Sequence, residues 1–514
     1  MTEHDTRKKS YPYATALHFG NADLEVLMTR LVRRGVSVLD FVAAIVVSVV
    51  LLLLAAPAWA QNSYRHHHTP SPSPSPSPSP SPSPSPTGFY VATTGNDSNN
   101  GLSPTDQGGG VGPFGTLGKC QDSMRASGTV KTCYIRAGTY TPAIVGTGGA
   151  CLGTAVLVLN SSSDSNTTWS HYPPDGVGTA IIDAQSSSST TGAYSGICVS
   201  GGTTGLVING LQIQNAQYDL IEDYDSNLLI ENNILHDNHA TANNGLIDIG
   251  GNAAKNVTVD HNYLYNSQQR GVSAGTCLSA GCGGGIDGLV ISNNYVYNTC
   301  TVIGDCGAIY VIDYQTPRSN ITIRNNYVRD VYVSGGGRGI YLDDGTSNAT
   351  VTGNIVIGAA DTCFNIHGGS NDVYQYNICD EDSQPTAILL YQNADCCNNG
   401  SGNIFENNII ISGYSFSGYG YDGDISLGGP PTINNNFYHN YVGSWVRSSG
   451  PAFRDSNPVT GDPQVSCWAY NIAGSSPVFN SPVSFQDFTH AWGPPGFAIP
   501  EVGTAPSQSH SASG

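Results

Sequence analysis

One short phrase recurs along a long stretch of this chain, N-x-x-[IV]-x-x-N-x-[IV]. Its second asparagine falls at Asn233, Asn262, Asn294, Asn326, Asn354, Asn377, Asn408 and Asn436, at intervals of 23 to 32 residues. A repeat of that length with variable spacing is the mark of a solenoid whose coils differ only in their loops. The asparagine itself is read as structural. Its side-chain amide can bond to the turns above and below, so identical residues can stack as an internal ladder.

Each repeat carries strand signals on both sides of that asparagine. In Ser319-Asn320-Ile321-Thr322-Ile323 the apolar residues alternate, so they point inward. A second short strand such as Tyr327–Val328 follows the turn. A third lies ahead of the phrase, at Gly307–Ile312, Gly339–Leu342, Cys363–Ile366 and Ala387–Leu390. Consecutive coils would pair in parallel, about 4.8 Å apart. Composition agrees: charged residues are 11% and Gly is 62 of 514, which suits short strands joined by many turns. The apolar pattern predicts no long amphipathic helix after residue 60.

The ends read differently. Residues 42–56 are nearly continuous apolar text after Arg30, Arg33 and Arg34, and Ala58-Trp59-Ala60 follows as a cleavage site. This predicts a secretory signal peptide over residues 1–60, with Met28 as an alternative start. A retained membrane anchor is the rival reading. Cleavage would leave an exported or cell-surface chain without membrane contact, expected as a monomer. Residues 61–88 are a linker whose Ser-Pro repeat favours an extended polyproline spacer, with His66-His67-His68 at its start. Residues 89–150 are expected to form an N-terminal cap and first coil, including a short helix over PFGTLGKCQDSM. Residues 151–440 are the coils, 441–500 a C-terminal cap and 501–514 a disordered tail.

All 13 cysteines follow residue 119, and an oxidising compartment would allow local pairs. Cys120–Cys133, Cys277–Cys282, Cys300–Cys306 and Cys363–Cys379 are plausible by proximity. Spacing does not fix the connectivity, and Cys396 and Cys397 are expected to pair elsewhere than with each other. Beyond Ala60 the chain holds 13 basic and 33 acidic residues. That balance argues against nucleic acid, whose phosphates require basic patches. It also repels acidic polysaccharides unless a divalent cation bridges them.

The repeated phrases, with the opening YVATTGNDSNNGLSPTD…GPFGTLGKC, resemble the right-handed parallel β-helix proteins of the pectate-lyase-like superfamily over about residues 89–440. The resemblance implies an all-β parallel β-helix with a short N-terminal capping helix. It implies polysaccharide lyases, glycoside hydrolases, epimerases or non-catalytic surface proteins, among which fold alone does not choose.

Candidate chemistry comes from comparing neighbouring coils. Gly307-Ala-Ile-Tyr-Val-Ile-Asp313 aligns with Arg338-Gly-Ile-Tyr-Leu-Asp-Asp344. Asp313 then matches Asp344, and Tyr310 matches Tyr341, with both rings expected to point outward. In Cys363-Phe-Asn-Ile-His-Gly368, His367 falls level with Asp343. Earlier coils offer Glu222-Asp223 and Asp248. One outer edge is thereby expected to collect Asp223, Asp248, Asp313, Asp343, Asp344 and His367. Stacked carboxylates repel, so one tends to keep its proton, which supplies an acid and a base for glycoside hydrolysis. Asp313, Asp343, Asp344 and His367 are the catalytic candidates. Tyr310, Tyr341, Arg338, Asp248 and Arg270 are the candidates for holding an extracellular polysaccharide. The bland alternative is that these aspartates terminate strands in turns.

Asp-Asp followed a coil later by His-Gly also resembles the polygalacturonase-type arrangement. The Asn-Thr-Asp and Arg-x-Lys elements of that family are not evident. A lyase or epimerase would instead need a cationic base and calcium held by carboxylates, for which Asp223 and Asp248 are the candidates. Lys255 is the one lysine in the coils, with Arg270, Arg318, Arg324 and Arg338 as the other cations. The hydrolase reading needs no cofactor.

Overall fold

The computed structural model describes residues 87–142, 151, 153–240, 244–250, 255–275, 286–313, 320–332, 336–381, 388–392, 401–412, 419–423, 431–440, 455–463 and 492–494. The expected signal peptide, the Met28 start, the Ser-Pro spacer and the C-terminal tail lie outside these residues. So do Arg318, Cys277, Cys282, Cys396 and Cys397.

Among the described residues the chain winds through three sheets of 12, 10 and 12 strands. Every strand pair within them is parallel. One turn of the winding runs from Ile221–Asp223 in the second sheet to Leu229–Glu231 in the first. It continues through Ile234–Asn238 in the third and returns at Gly245–Ile249 to the second. Inward residues stack in register from coil to coil. Ile221, Ile247, Val272, Ile309 and Ile340 form one such row, each fully buried. Burying a side chain of this size contributes roughly 1.5–3 kcal/mol, and the solenoid repeats that gain at every rung.

The asparagine ladder is present as expected. From Asn233 to Asn408, each ladder residue directs its backbone N–H and its Nδ2 to the Oδ1 of the next, at 2.9–3.0 Å. The same amides also reach a main-chain carbonyl, as Asn262 Nδ2 reaches Ile230 O at 2.9 Å. The chain enters these turns in a left-handed conformation, with φ of 58° at Asn232 and 55° at Asn293 and Asn325. Asparagine tolerates that region better than most residues, which explains the recurring Asn-Asn pair. At the far end Asp455 accepts from Asn436 N and Nδ2, both at 2.9 Å.

The expected capping helix spans Leu117–Ala126. Thr116 Oγ1 caps it by accepting from Lys119 N at 3.1 Å, and Asp97 in turn holds Gly115 N and Thr116 N. Leu117, Cys120 and Met124 are buried in the same core as Val91 and Phe114. Past Asn436, Val459–Thr460 still pairs in parallel with Phe437–Asn440, inside the stretch expected as the C-terminal cap. Disulfides join Cys120–Cys133, Cys300–Cys306 and Cys363–Cys379, and also Cys151–Cys198. The last joins residues 47 apart in sequence, which proximity along the chain does not suggest.

Candidate active site

The second sheet carries most of the candidate residues. Its register places Glu222 beside Asp248, then Ser273, Tyr310, Tyr341 and Asn365 on successive strands. A neighbouring row places Arg270, Gly307, Arg338 and Thr362 in line. Leu342 pairs with Ile366, so the next residues, Asp343 and His367, stand side by side. Alternation makes the tyrosine row and the Asp343–His367 pair outward; it breaks at Gly271 and Gly339, where an added Cβ would meet Val296 and Val356 of the core.

At the end of Gly337–Asp343 the chain turns, with Asp344 at φ 35°. His367 Nδ1 lies 2.7 Å from Asp343 Oδ1 and 3.1 Å from Asp344 Oδ1. The other Asp343 oxygen accepts from Tyr310 Oη. The Arg270 guanidinium lies 3.4 Å from the centre of the Tyr310 ring, and that of Arg338 lies 4.5 Å from the Tyr341 ring. Arg338 also pairs with Asp305 at 2.7 Å and Asp361 at 3.1 Å.

The electrostatics follow from those contacts. Burial raises the Asp343 carboxyl, but hydrogen bonds from His367 and Tyr310 outweigh it and hold the group below its ordinary value. Burial lowers His367, yet its bonds to Asp343 and Asp344 raise it to about 9. Burial pushes Tyr310 and Tyr341 up, with the Asp343 charge acting in the same direction. Asp248 is pushed up to about 6 by burial, against the pull of Ser273 and Arg270. The edge thus pairs a fixed anion with a cation at neutral pH.

Several sequence expectations meet a different placement. Asp223 is fully buried, in register with Ile249, Ala274, Val311 and Leu342, so it faces the coil interior. The outward residue beside Asp248 is Glu222, which accepts from Ser195 Oγ and Tyr224 Oη, both at 2.8 Å. Aligning Ile221-Glu222-Asp223 with Ile247-Asp248-Ile249 would have found it. Asp313 occupies the position one past Ile312, as Asp344 does past Asp343, but it is only 1% exposed. Its backbone N–H donates to Thr346 Oγ1, and the bonds to His367 come from Asp343 and Asp344.

The two tyrosines do point out of the coil, yet each is only 3% exposed. Arginine guanidinium groups lie over their rings, so they are not open sugar platforms. Asp248 stands three strands from Asp343, about 14 Å at the usual strand spacing. Lys255 precedes a first-sheet strand and Arg324 belongs to that sheet, so neither shares this face. Asp305 and Asp361, which hold Arg338, come from loops whose role no strand pattern announces.

Residues 195–378 match the family model described as the right handed beta helix region. The protein is a right-handed parallel β-helix. Among solved structures, the β-helix is similar to a lacto-N-biosidase from Eubacterium ramulus, with 13% identity and a TM-score of 0.47 over 72% of this chain and 67% of that one. It is similar to pectate lyase Pel9A, with 17% identity and a TM-score of 0.47 over 76% and 86% of the two chains. It is also similar to PfbA, a surface adhesin of Streptococcus pneumoniae, with 13% identity and a TM-score of 0.42 over 66% and 91%. No curated protein matches it in sequence. These likenesses are of fold, and the activity has to be argued from the β-helix's own site.

Asp343, Asp344 and His367 are also the described group that a cation could join, their ligating atoms lying within 4.8 Å of one another. Calcium takes six to eight oxygens. This group offers it two carboxylates and one nitrogen, and both Asp343 oxygens already have partners. The mixed set is closer to what borderline transition ions accept. Asp223, facing the interior, cannot join it.

Proposed function

We propose that this β-helix is an exported polysaccharide-active enzyme, most simply a glycoside hydrolase working at Asp343, Asp344 and His367. The observation that carries the reading is the His367 ring held at 2.7 and 3.1 Å by two carboxylates, one of them kept ionised. A proton donor and carboxylates, the kinds of group that glycoside cleavage uses, thus stand together on one outer edge. In the proposed step the protonated His367 gives a proton to the leaving glycosidic oxygen as the bond to the anomeric carbon breaks. A water oxygen bonds to that carbon from the opposite face of the sugar, and its proton passes to bulk water, because Asp344, 3.1 Å from His367, lies on the side of the acid and helps to hold it. Asp343 holds the imidazolium and does not itself exchange the proton. Asp313, buried behind the turn, supports the strand end in this scheme.

Charge favours a neutral glycan. The face carries Glu222, Asp248, Asp305, Asp343, Asp344 and Asp361 against Arg270, Arg338 and His367. Arg338 is already committed to Asp305 and Asp361, and Arg270 lies against Asp248 and Tyr310. An added uronate carboxylate would meet net negative charge. The second reading, a calcium-assisted polyuronate lyase or epimerase, would have to hold its ion at the three ligating atoms within 4.8 Å, a set that suits calcium poorly.

Incubation with neutral and uronate polysaccharides, with calcium or with chelator, separates the readings. New reducing ends that vanish in Asp344→Asn and His367→Gln support hydrolysis. Calcium-dependent ultraviolet absorbance from unsaturated uronates would replace it with the lyase. Tight glycan binding with neither signal would make the β-helix a non-catalytic surface protein.

A further inference from the structure

Tyr341 has one hydroxyl proton and two carboxylates placed to take it. Its Oη lies 3.3 Å from Asp305 Oδ1 and is also in hydrogen-bond reach of Asp343. The two acids differ in what they need. The Asp343 side chain is 7% exposed, so a bond lost there is not replaced by water, whereas that of Asp305 is 71% exposed. Tyr310 serves one Asp343 oxygen and His367 the other. Tyr341 completes that set only while its proton is not drawn off to Asp305.

Arg338 decides between the two acids. Its Nη1 donates to the same Asp305 Oδ1 at 2.7 Å, its Nε donates to Asp361 at 3.1 Å, and its guanidinium lies 4.5 Å from the centre of the Tyr341 ring. A cationic donor at 2.7 Å outcompetes a neutral hydroxyl at 3.3 Å for one oxygen. The local fold sets the partners. Asp305 takes a left-handed φ of 55° just before Cys306. Cys306 opens the strand Cys306–Ile312 and is bridged to Cys300, just past the strand Tyr295–Thr299. Asp361 bonds through its N–H to Gly337 O at 2.9 Å. Arg338 is thus held between acids from the coils on either side.

We propose that Arg338 is a positioning residue: by occupying Asp305 it leaves the Tyr341 proton to Asp343, the carboxylate that holds His367. The inference rests on the hydrolase reading for the part that Asp343 plays. It gives Arg338 a role that involves no contact with the glycan. It also makes an unusual demand, that the damage from losing Arg338 be repaired by losing Asp305 as well.

The test uses the full chain with Arg338→Met, which keeps an apolar stem over the Tyr341 ring, with Asp305→Ala, and with the two combined. The first measurement needs no substrate. It follows the NMR signal of the His367 Nδ1 proton, assigned by its absence in His367→Gln. In Arg338→Met, Asp343 loses the Tyr341 proton and accepts more strongly from His367, so the signal is expected to move downfield. In the combined variant it is expected to return. Asp305→Ala alone, and Arg338→Lys, which still offers Asp305 a cation, should keep the native signal. The second measurement is turnover of a neutral polysaccharide that the native chain cleaves. Arg338→Met should lower kcat about tenfold with KM within about twofold, and the combined variant should recover most of that loss. A signal unmoved in Arg338→Met would overturn the proposal. So would a kcat loss that the combined variant keeps in full, which would put Arg338 on the substrate. If the native chain cleaves no glycan, the hydrolase reading fails and the proton signal alone decides which acid Tyr341 serves.

Discussion

The turn between the first and third sheets and the outer edge of the second sheet solve the same problem with opposite chemistry. Both stack polar side chains one rung apart. In the turn every rung repeats the same residue, from Asn233 to Asn436. On the edge, apart from Tyr310 beside Tyr341, the rungs differ: Asp248, Arg270, Tyr310, Asp343 and His367 come from five successive strands. The reason lies in hydrogen-bond capacity. An amide donates and accepts, so a column of asparagines satisfies itself. A carboxylate only accepts, so a column of aspartates needs a donor between each pair. On the edge those donors are Tyr310 on one side of Asp343 and His367 on the other. A self-satisfied column stabilises the fold, whereas a mixed one leaves protons that can move.

If that contrast holds, variants at the edge should lose chemistry and variants in the turn should lose stability. The largest effect is expected for His367→Gln, which should lower turnover per folded molecule by about 10²–10⁴-fold. Turnover per folded molecule that is unchanged, with stability alone lost, would merge the two regions into one. Next comes Asn326→Ala in mid-ladder. It removes the Oδ1 that serves Asn294 N and Nδ2 and leaves both donors buried. A loss on the order of 3 kcal/mol is expected from urea midpoints, with the activity per folded molecule retained.

Tyr310→Phe is a smaller and more discriminating change. It removes the donor on Asp343, so about 1–2 kcal/mol of stability should go. The same change in an Asp343→Asn background should cost less, because the partner charge is gone.

The smallest effect is in pH. His367 is raised from 6.5 to about 9, so its contribution is full below pH 6.5 and fades as pH rises through 9. Asp343 is lowered from 3.8, so its share is full above that value and fades at more acid pH. The melting difference between the native chain and His367→Gln should therefore be largest between about pH 4 and 6.5 and shrink toward pH 9. A difference that grows through that alkaline range would refute the pairing.

The two regions were also unequally legible. The ladder was readable because it repeats: eight asparagines report one geometry, and one misaligned coil would not hide the rest. The level of His367 with Asp343, and of Tyr310 with Tyr341, was readable because the strands there are six or seven residues long. Ile221–Asp223 has three residues, too few for alternation to show its phase. That is why Asp223 rather than Glu222 appeared to face outward. The arginines over the tyrosine rings were hidden for another reason. Each guanidinium reaches its ring from a position three residues off in register, which a row-by-row alignment does not see. Cys151–Cys198 escaped because it joins adjacent coils across 47 residues of sequence.

The ladder has a last member that is not asparagine. Asp455 receives both donors of Asn436 and a hydroxyl from Tyr438, but its side chain has nothing to hand onward. In the grammar of this solenoid, asparagine is a comma and aspartate a full stop. A coil copied or deleted between Asn233 and Asn436 would leave the sentence readable, since each asparagine there asks its neighbours only for another. The length of the cylinder can then change by whole coils while its two ends stay the same.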